Sequence, residues 1–422
     1  MKKVAFHTLG CKLNFAETAG ISRQFSPEGY SIVDFHEVAD VYVIHSCTVT
    51  ANAERKTIAA VKQSYKRNPE ARIAVIGCMS QLDPERLRQL PGVTWVLGNS
   101  DKFSLPEILE EKALQKDASL DQQFFPSWSV NERTRSFLKI QDGCDYFCSY
   151  CTIPFARGRS RSATIAQAVQ AAREIAGAGM KELVLTGINI GDFGRHQHET
   201  LYDLLCQLDE IDGIERIRIS SIEPDLLTEQ IINLTARSQK LLPHFHIPLQ
   251  SGSDTVLKLM NRKYSTQDFK SKVDLIHATL PNACIATDII AGFPEESDLL
   301  FEETYSFIEQ LDISYMHVFT YSERGNTKAI RTENPIPVEL RKKRSSLLQN
   351  LSNEKKHNFY LQNKDRRCKV FFESENKNGY LYGFTENYIR TRIAYKPELV
   401  NTITDVTLRK LAYNDCYNVE LI

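Results

Sequence analysis

The chain has 422 residues, 42% of them hydrophobic and 25% charged, with a net charge of −1. That length calls for two to three domains, the composition is that of a globular rather than a disordered chain, and no apolar run approaches the roughly 18 residues of a membrane span. Ten cysteines are too few for a disulfide scaffold of this size and point to metal or catalysis in a reducing compartment, read as the cytoplasm. The first residues run straight into a strand, without the apolar stretch of a signal peptide.

Residues 1–120 alternate strand and helix. Strands are expected at Val4–Leu9, Val41–His45, Ile73–Ile76 and Trp95–Leu97, with helices such as Phe15–Phe25 and Glu54–Tyr65 between them. Short β-branched runs alternating with helices predict an N-terminal parallel-sheet α/β domain. Cys11, Cys47 and Cys78 each follow the end of one of these strands. In a parallel sheet the carboxyl ends share one edge, where ligands gather, so the three thiols are expected to converge. His7 and His45 lie nearby and read as packed residues.

Residues 113–132 are polar with weak periodicity and read as a connection. Phe124, Phe125 and Trp128 within them are expected to pack against a neighbour. From 133 to 360 the rhythm resumes, with strands expected at Ser136–Ile140, Leu183–Leu185, Arg216–Ser220, Phe245–Pro248, Cys284–Ile290 and Tyr315–Thr320. Helices such as Ile165–Ala176, stopped by Gly177 and Gly179, fall between them. Six successive units predict a curved parallel sheet, a partial (β/α) barrel whose chemistry sits at the carboxyl ends of its strands. The first of these ends carries Cys144, Cys148 and Cys151 at spacing C-x3-C-x2-C. Ferredoxin-type clusters and structural zinc sites both take four ligands. Three thiolates without a fourth partner fit a [4Fe–4S] cluster with one iron left open; a zinc knuckle is the competing reading. Further polar residues follow later strands, among them Thr186, Gly187, Glu223, Gln250 and Asp288.

Directly after the third cysteine comes Arg157-Gly158-Arg159-Ser160-Arg161-Ser162, read as an exposed cationic loop suited to phosphate or carboxylate. Between Pro337 and Val370 ten Lys or Arg stand against three acidic residues, an excess that suggests a polyanion surface. Residues 363–422 alternate β-branched and aromatic residues with polar ones, with turns marked at Gly379, Gly383 and Asn414-Asp415. They predict a small C-terminal antiparallel β-barrel, with Arg390, Arg392, Arg409 and Lys410 as candidate RNA contacts.

Several passages carry a resemblance. Thr8-Leu9-Gly10-Cys11-Lys12-Leu13-Asn14, Cys47-Thr48-Val49-Thr50, Gly77-Cys78, the Cys144 loop, and His246 to Ser253 followed by Met260-Asn261-Arg262 resemble the methylthiotransferase branch of the radical S-adenosylmethionine (SAM) enzymes. The Gly-Cys-Lys-x-Asn and Arg-Gly-Arg-Ser-Arg-Ser forms are similar to the branch acting on threonylcarbamoyladenosine in tRNA. The resemblance implies two [4Fe–4S] clusters, one on Cys144, Cys148 and Cys151 that cleaves SAM to a radical, and an auxiliary one on Cys11, Cys47 and Cys78 that handles sulfur. A second SAM serves as methyl donor, and the product carries a methylthio group at carbon 2 of the adenine next to the anticodon. It implies SAM contacts from Tyr150, Thr186, Gly187, Glu223, Gln250 and Arg262, substrate RNA contacts from Arg157, Arg159 and Arg161, and a TRAM-like final barrel. It also implies tRNA as partner and an electron donor such as flavodoxin or ferredoxin. The alternatives are isopentenyladenosine in tRNA or a ribosomal-protein aspartate as target, or a non-catalytic zinc-dependent RNA-binding protein. Two departures stand out. His45-Ser46 replaces the family's usual Asn-Thr, and Glu295 stands where the family often has glycine.

Overall fold

The computed structural model describes residues 1–112, 123–130, 133–412 and 415–422. Most of the connection at 113–132, and Asn414 of the expected turn, lie outside the described residues.

The N-terminal sheet is fully parallel. Its strands are β1 Lys2–Thr8, β2 Tyr30–Val33, β3 Val41–Ser46, β4 Arg72–Gly77 and β5 Val93–Leu97, in the order β2-β1-β3-β4-β5. β2 is the strand the sequence reading lacks: four residues on an edge, only the first of them buried, carry too little pattern. Central β3 is buried at all six positions, as a strand covered on both faces must be. Helix α1, Lys12–Ser22, covers one face, and Ala51–Arg67 the other. The longer helix starts on Thr50, whose side chain accepts the Ala53 N–H, a cap that stabilises by about 1 kcal/mol.

The connection ends in a short strand, β6 Ser127–Trp128, which pairs antiparallel with β7 Arg135–Lys139. Phe125 stacks on Phe103 at 4.5 Å, and Arg23 lies over Trp128 at 4.9 Å. These aromatics join two sheets and are not laid out as an open stacking surface.

After a two-stranded ribbon, β8 Gln141–Asp142 with β9 Arg161–Ser162, the central wall continues with β10 Glu182–Thr186, β11 Arg216–Ile219, β12 His244–His246, β13 Cys284–Ala291 and β14 Tyr315–Thr320. The hydrogen-bonded orders are β11-β10-β7-β6 and β12-β13-β14. A single parallel bridge, Ile217 to Leu241, carries the wall across the break. The outward residues Leu138, Leu183, Leu185, Ile217, Ile219, Phe245, Ile285 and Ile289 meet helix residues such as Ala172, Ile175, Leu204 and Val273. Each such Leu or Ile contributes about 1.5–3 kcal/mol on burial. The wall is open between β14 and β7, and α1 of the first domain packs along β7.

The last strands are β15 Arg367–Lys377, β16 Tyr380–Thr385, β17 Arg390–Ala394, β18 Ile403–Ala412 and β19 Cys416–Leu421. They close into a barrel, antiparallel throughout except for a parallel β17–β19 pair. This barrel plugs the amino-end mouth of the central wall: Arg135 pairs with Glu373 at 2.9 Å, and Tyr388 lies 4.5 Å from the His244 ring. The basic helix Val338–Gln362 is less of a polyanion surface than its composition suggests. Arg341 and Arg344 are buried on Glu323 and Glu296, and Lys355 reaches the Glu309 and Leu311 carbonyls. Among the described residues no helix is long and apolar enough to cross a membrane.

Candidate active site

Cys11 caps the start of α1, Cys47 follows β3 directly and Cys78 follows β4 directly. Because β1, β3 and β4 are adjacent and in register (Thr8 beside His45, Ser46 beside Gly77), the three thiols leave one edge together. Ser46, the departure from the family's Thr, keeps a clear task here. Its hydroxyl donates to the Ile76 carbonyl and accepts the Met79 N–H, fastening the two cysteine-bearing strand ends. Gly10, at φ +100°, passes so close that a Cβ would lie 3.0 Å from the Cys47 sulfur; only glycine fits. Burial pushes the Cys47 thiol up to about 12, and the charges of Cys78 and Cys11 add to it, which places all three in mutual electrostatic range. His7 stacks on Phe35 at 4.3 Å, and fully buried His45 bonds Thr18; both are packed residues.

Behind this triad lies a buried charge network that joins the first domain to the barrel. Glu17 of α1 accepts from Lys102 at 2.6 Å, from Lys139 of β7 at 2.7 Å and from Arg157 at 3.0 Å. Arg157 also donates to Asp142 at 2.9 Å and to Asn14 at 2.7 Å, and the Asn14 side chain lies 3.7 Å from the Cys11 sulfur. This corrects the sequence reading of Arg157 as an exposed RNA contact. It is 1% exposed and its charge is committed to two carboxylates. Arg161 is partly drawn into the same network through Asp142. Arg159 is the exposed member, lying over Phe147 at 4.8 Å. Arg159 and Arg161 line an open pocket of about 450 Å³ with Asp145, His196 and Gln197.

The second triad sits on the loop after β8. Its turn at Gly143, φ +68°, would put a Cβ 2.0 Å from the Arg159 carbonyl, so the loop requires glycine there. The stretch Met260-Asn261-Arg262 clamps the loop. The Ser149 N–H donates to the Met260 carbonyl, the Asn261 amide donates to the Phe147 carbonyl, and Arg262 Nη1 lies 3.2 Å from the Cys148 sulfur. Arg262 also pairs with Glu223 and donates to the Tyr264 hydroxyl. Burial raises Glu223 to about 7 against the pull of Arg262. Gly187, after Thr186 on β10, lets Gln141 approach to where a Cβ would meet its Oε1 at 2.9 Å. Both side-chain polar atoms of Asn189, and Oδ2 of Asp192, are buried with no protein partner. The charge of Asp192 is felt at Cys144. Buried polar groups are otherwise almost always paired, so this rim fits a ligand rich in amino, carboxylate and hydroxyl groups. Asp192 and Glu17 are functional candidates that sequence reasoning missed.

Beside both cysteine-bearing segments lies a cavity of about 230 Å³. Val49 and Thr50, just after Cys47, form one wall; Tyr150, just before Cys151, and Gln250, held at φ +68°, form another, and Asp288 and Phe319 also line it. Glu223 and Arg262 do not line it; they stay at the cysteine loop. Neither triad gathers its three sulfurs within 4.8 Å of one another among the described residues. Thiolates around one zinc at 2.3 Å would stand about 3.8 Å apart. Two spread-out three-thiol sets therefore fit clusters better than single ions, and the net positive network behind Cys11 suits a thiolate-held anion.

Residues 3–98 match the uncharacterized protein family UPF0004, and residues 138–308 match the radical SAM superfamily. Over 396 residues the chain is 38% identical to the threonylcarbamoyladenosine tRNA methylthiotransferase MtaB of Aquifex aeolicus, covering 92% of this chain and 95% of the relative. The chain belongs to the radical SAM tRNA methylthiotransferase family. A second branch of that family is also close. A tRNA-2-methylthio-N(6)-dimethylallyladenosine synthase of Bacillus velezensis is 33% identical, covering 91% of this chain and 79% of the relative. Among solved structures, the radical SAM methyltransferase TsrM from Kitasatospora setae shares the fold at 14% identity, with a TM-score of 0.57 over 76% of this chain and 73% of that one. This methylthiotransferase carries its two cysteine triads in two different domains, and residues that follow Cys47 and precede Cys151 line one cavity.

Proposed function

We propose that this methylthiotransferase acts on tRNA, adding a methylthio group to carbon 2 of threonylcarbamoyladenosine next to the anticodon, with two [4Fe–4S] clusters and SAM. The observation that carries this reading is the shared cavity, walled by residues adjoining Cys47 on one side and Cys151 on the other. When bound, the clusters and SAM supply the radical and sulfur chemistry that protein side chains cannot. The protein's own part is to hold and orient. Cys144, Cys148 and Cys151 hold one cluster, with Arg262 fixing the Cys148 sulfur, while Cys11, Cys47 and Cys78 hold the other. Glu223, Asn189 and Asp192 offer polar partners to SAM, and Tyr150 and Gln250 wall the space where base and SAM meet. Burial of these groups excludes water from a reactive centre.

A base reaching this cavity must leave its stack, which a single-stranded anticodon loop permits. The final barrel supports RNA binding, as a TRAM-like domain does: on β16 and β17, Arg390 lies over Tyr382 at 4.8 Å and Arg392 over Tyr380 at 4.6 Å, a cationic and aromatic face suited to a polynucleotide. Electrons come from a donor such as flavodoxin or ferredoxin, and the reaction belongs in the cytoplasm, where tRNA is. Mass spectrometry of tRNA nucleosides from a deletion strain tests the reading: the methylthio form of threonylcarbamoyladenosine is expected to vanish. Loss of methylthio isopentenyladenosine instead assigns the chain to the other branch.

A further inference from the structure

Strand alternation gives the central barrel an inner face of unusual chemistry. On β11, Ile217 and Ile219 join the outer core, so Arg216 and Arg218 turn inward. On β12, Phe245 turns out and His244 and His246 turn in; on β14, Met316 turns out and His317 turns in. A closed barrel of this kind normally fills that space with Val, Ile and Leu. Here an apolar patch, Phe137 and Val184 packed on Ala16 of α1, covers part of the inner face, and the rest carries charged and imidazole side chains that can meet a polar ligand.

Its upper ring is His246, Asp288 and His317, whose ligand-type atoms lie within 4.8 Å of one another. His246 spends both ring nitrogens, on Ser221 and on Asp288 at 3.0 Å, and so engages the Asp288 carboxylate. Deeper lies Arg218, 2% exposed. Its Nε bonds Glu182 at 3.2 Å and its flat face covers Tyr388 at 4.5 Å, yet Nη1 and Nη2 are buried with no protein partner. Lys12 enters from the first domain. It is the first residue of α1, which packs along β7 at the open side of the wall, and water reaches it. His317 is likewise open to water yet lowered by desolvation, with Lys12 among the charges it feels. His317 lies on the inward side of β14 and Lys12 on the helix beside β7, and both meet water, so open space reaches the inner face. Asp288 belongs both to this ring and to the wall of the 230 Å³ cavity, so the chamber continues from the place where the base reacts. Lys12, Arg216 and Arg218 outnumber Glu182 and Asp288.

We propose that this chamber is the subsite for a carboxylate on the N6 substituent of the target adenine, held by Lys12, Arg218 and His317, and that it selects an anionic over an apolar modified base. The inference rests on the proposed tRNA methylthiotransferase reading and deepens it. A carboxylate would satisfy the open edge of Arg218 with charge-assisted bonds. An isopentenyl group would leave that edge unpaired against hydrocarbon, a cost of the kind that makes sites of this sort selective.

The test measures dissociation constants of the cluster-loaded protein for three anticodon stem-loops. One carries threonylcarbamoyladenosine, one has its carboxylate replaced by a primary alcohol, and one carries isopentenyladenosine; SAM affinity is measured alongside. The wild type is expected to prefer the carboxylate over the alcohol by about ten- to a hundredfold. Lys12→Gln and His317→Ala are each expected to shrink that ratio while SAM affinity holds. Equal binding of the first two RNAs by the wild type overturns the proposal. So does a loss in the variants that falls equally on all three RNAs, or on SAM. A carboxylate preference without any methylthio product would overturn the function proposed above and leave the chamber's role standing.

Discussion

The two cysteine triads reach similar donor sets by opposite routes. The Cys144 triad lies on one eight-residue loop, held in shape by Gly143 and by the Met260–Arg262 clamp. The Cys11 triad is assembled from three strand ends, 36 and 31 residues apart in the chain, and exists only because β1, β3 and β4 are parallel neighbours. Their surroundings differ as well. The loop triad faces Glu223, raised to about 7 by burial, and orphaned polar atoms at Asn189 and Asp192: a rim waiting for a polar ligand. The sheet triad backs onto the Glu17 network, in which Lys102, Lys139 and Arg157 outnumber Glu17 and Asp142. On the proposed reading, the first receives a ligand and the second holds an anionic group firmly.

The sharpest way to break this comparison is to remove one sulfur from each triad. Cys144→Ala is expected to abolish SAM cleavage. Cys47→Ala is expected to keep it but yield no methylthio product, and each is expected to lower iron content by about half. Chromatography of 5′-deoxyadenosine and product, with iron analysis, reads both; product from the Cys47 variant would erase the division of labour.

Next in size is the network behind the sheet triad. Glu17→Gln keeps the shape but leaves three buried cations short of a counter-charge, at a cost of about 3–5 kcal/mol, measurable by denaturant unfolding. A loss under about 1 kcal/mol would mean that the network does not fasten the first domain to the barrel.

Acid probes the same group without mutation. The cations hold Glu17 well below its usual 4.5 despite the opposing effect of burial. Its folded value is depressed, so its contribution is full above about 4.5 and is lost as pH falls toward the folded value. Thermal melts from pH 7 to 3 are expected to show this loss in the wild type and less of it in Glu17→Gln.

At the loop triad, Arg262→Lys keeps the charge but not the fork that spans Cys148 and Glu223. About tenfold weaker SAM binding by calorimetry is expected, with the unfolding midpoint little changed.

The smallest effect concerns Glu295, which sits at φ +66°, in the left-handed region that favours glycine. The backbone keeps the glycine-like conformation, and the side chain reaches Asn334 at 2.9 Å. Glu295→Gly trades strain against chain entropy, and a change in stability below about 1 kcal/mol is expected.

The sequence alone determined what depends on short range. Alternating runs set the parallel sheet and the βα wall to within a few residues, because buried strands must be apolar and β-branched. The cysteine loop was legible because all of its ligands lie within eight residues. Even the polar inner face was present as alternation in Arg-Ile-Arg-Ile and His-Phe-His, but which side faces inward depends on where the helices pack. Tertiary structure alone decided the charges. Arg157 stands in a run that reads as a solvated loop, and its partner Glu17 lies 140 residues away. Whether a cation is spent on a buried carboxylate or left for a ligand depends on such distant neighbours, since an ion pair requires proximity in space and leaves no periodic trace in the chain.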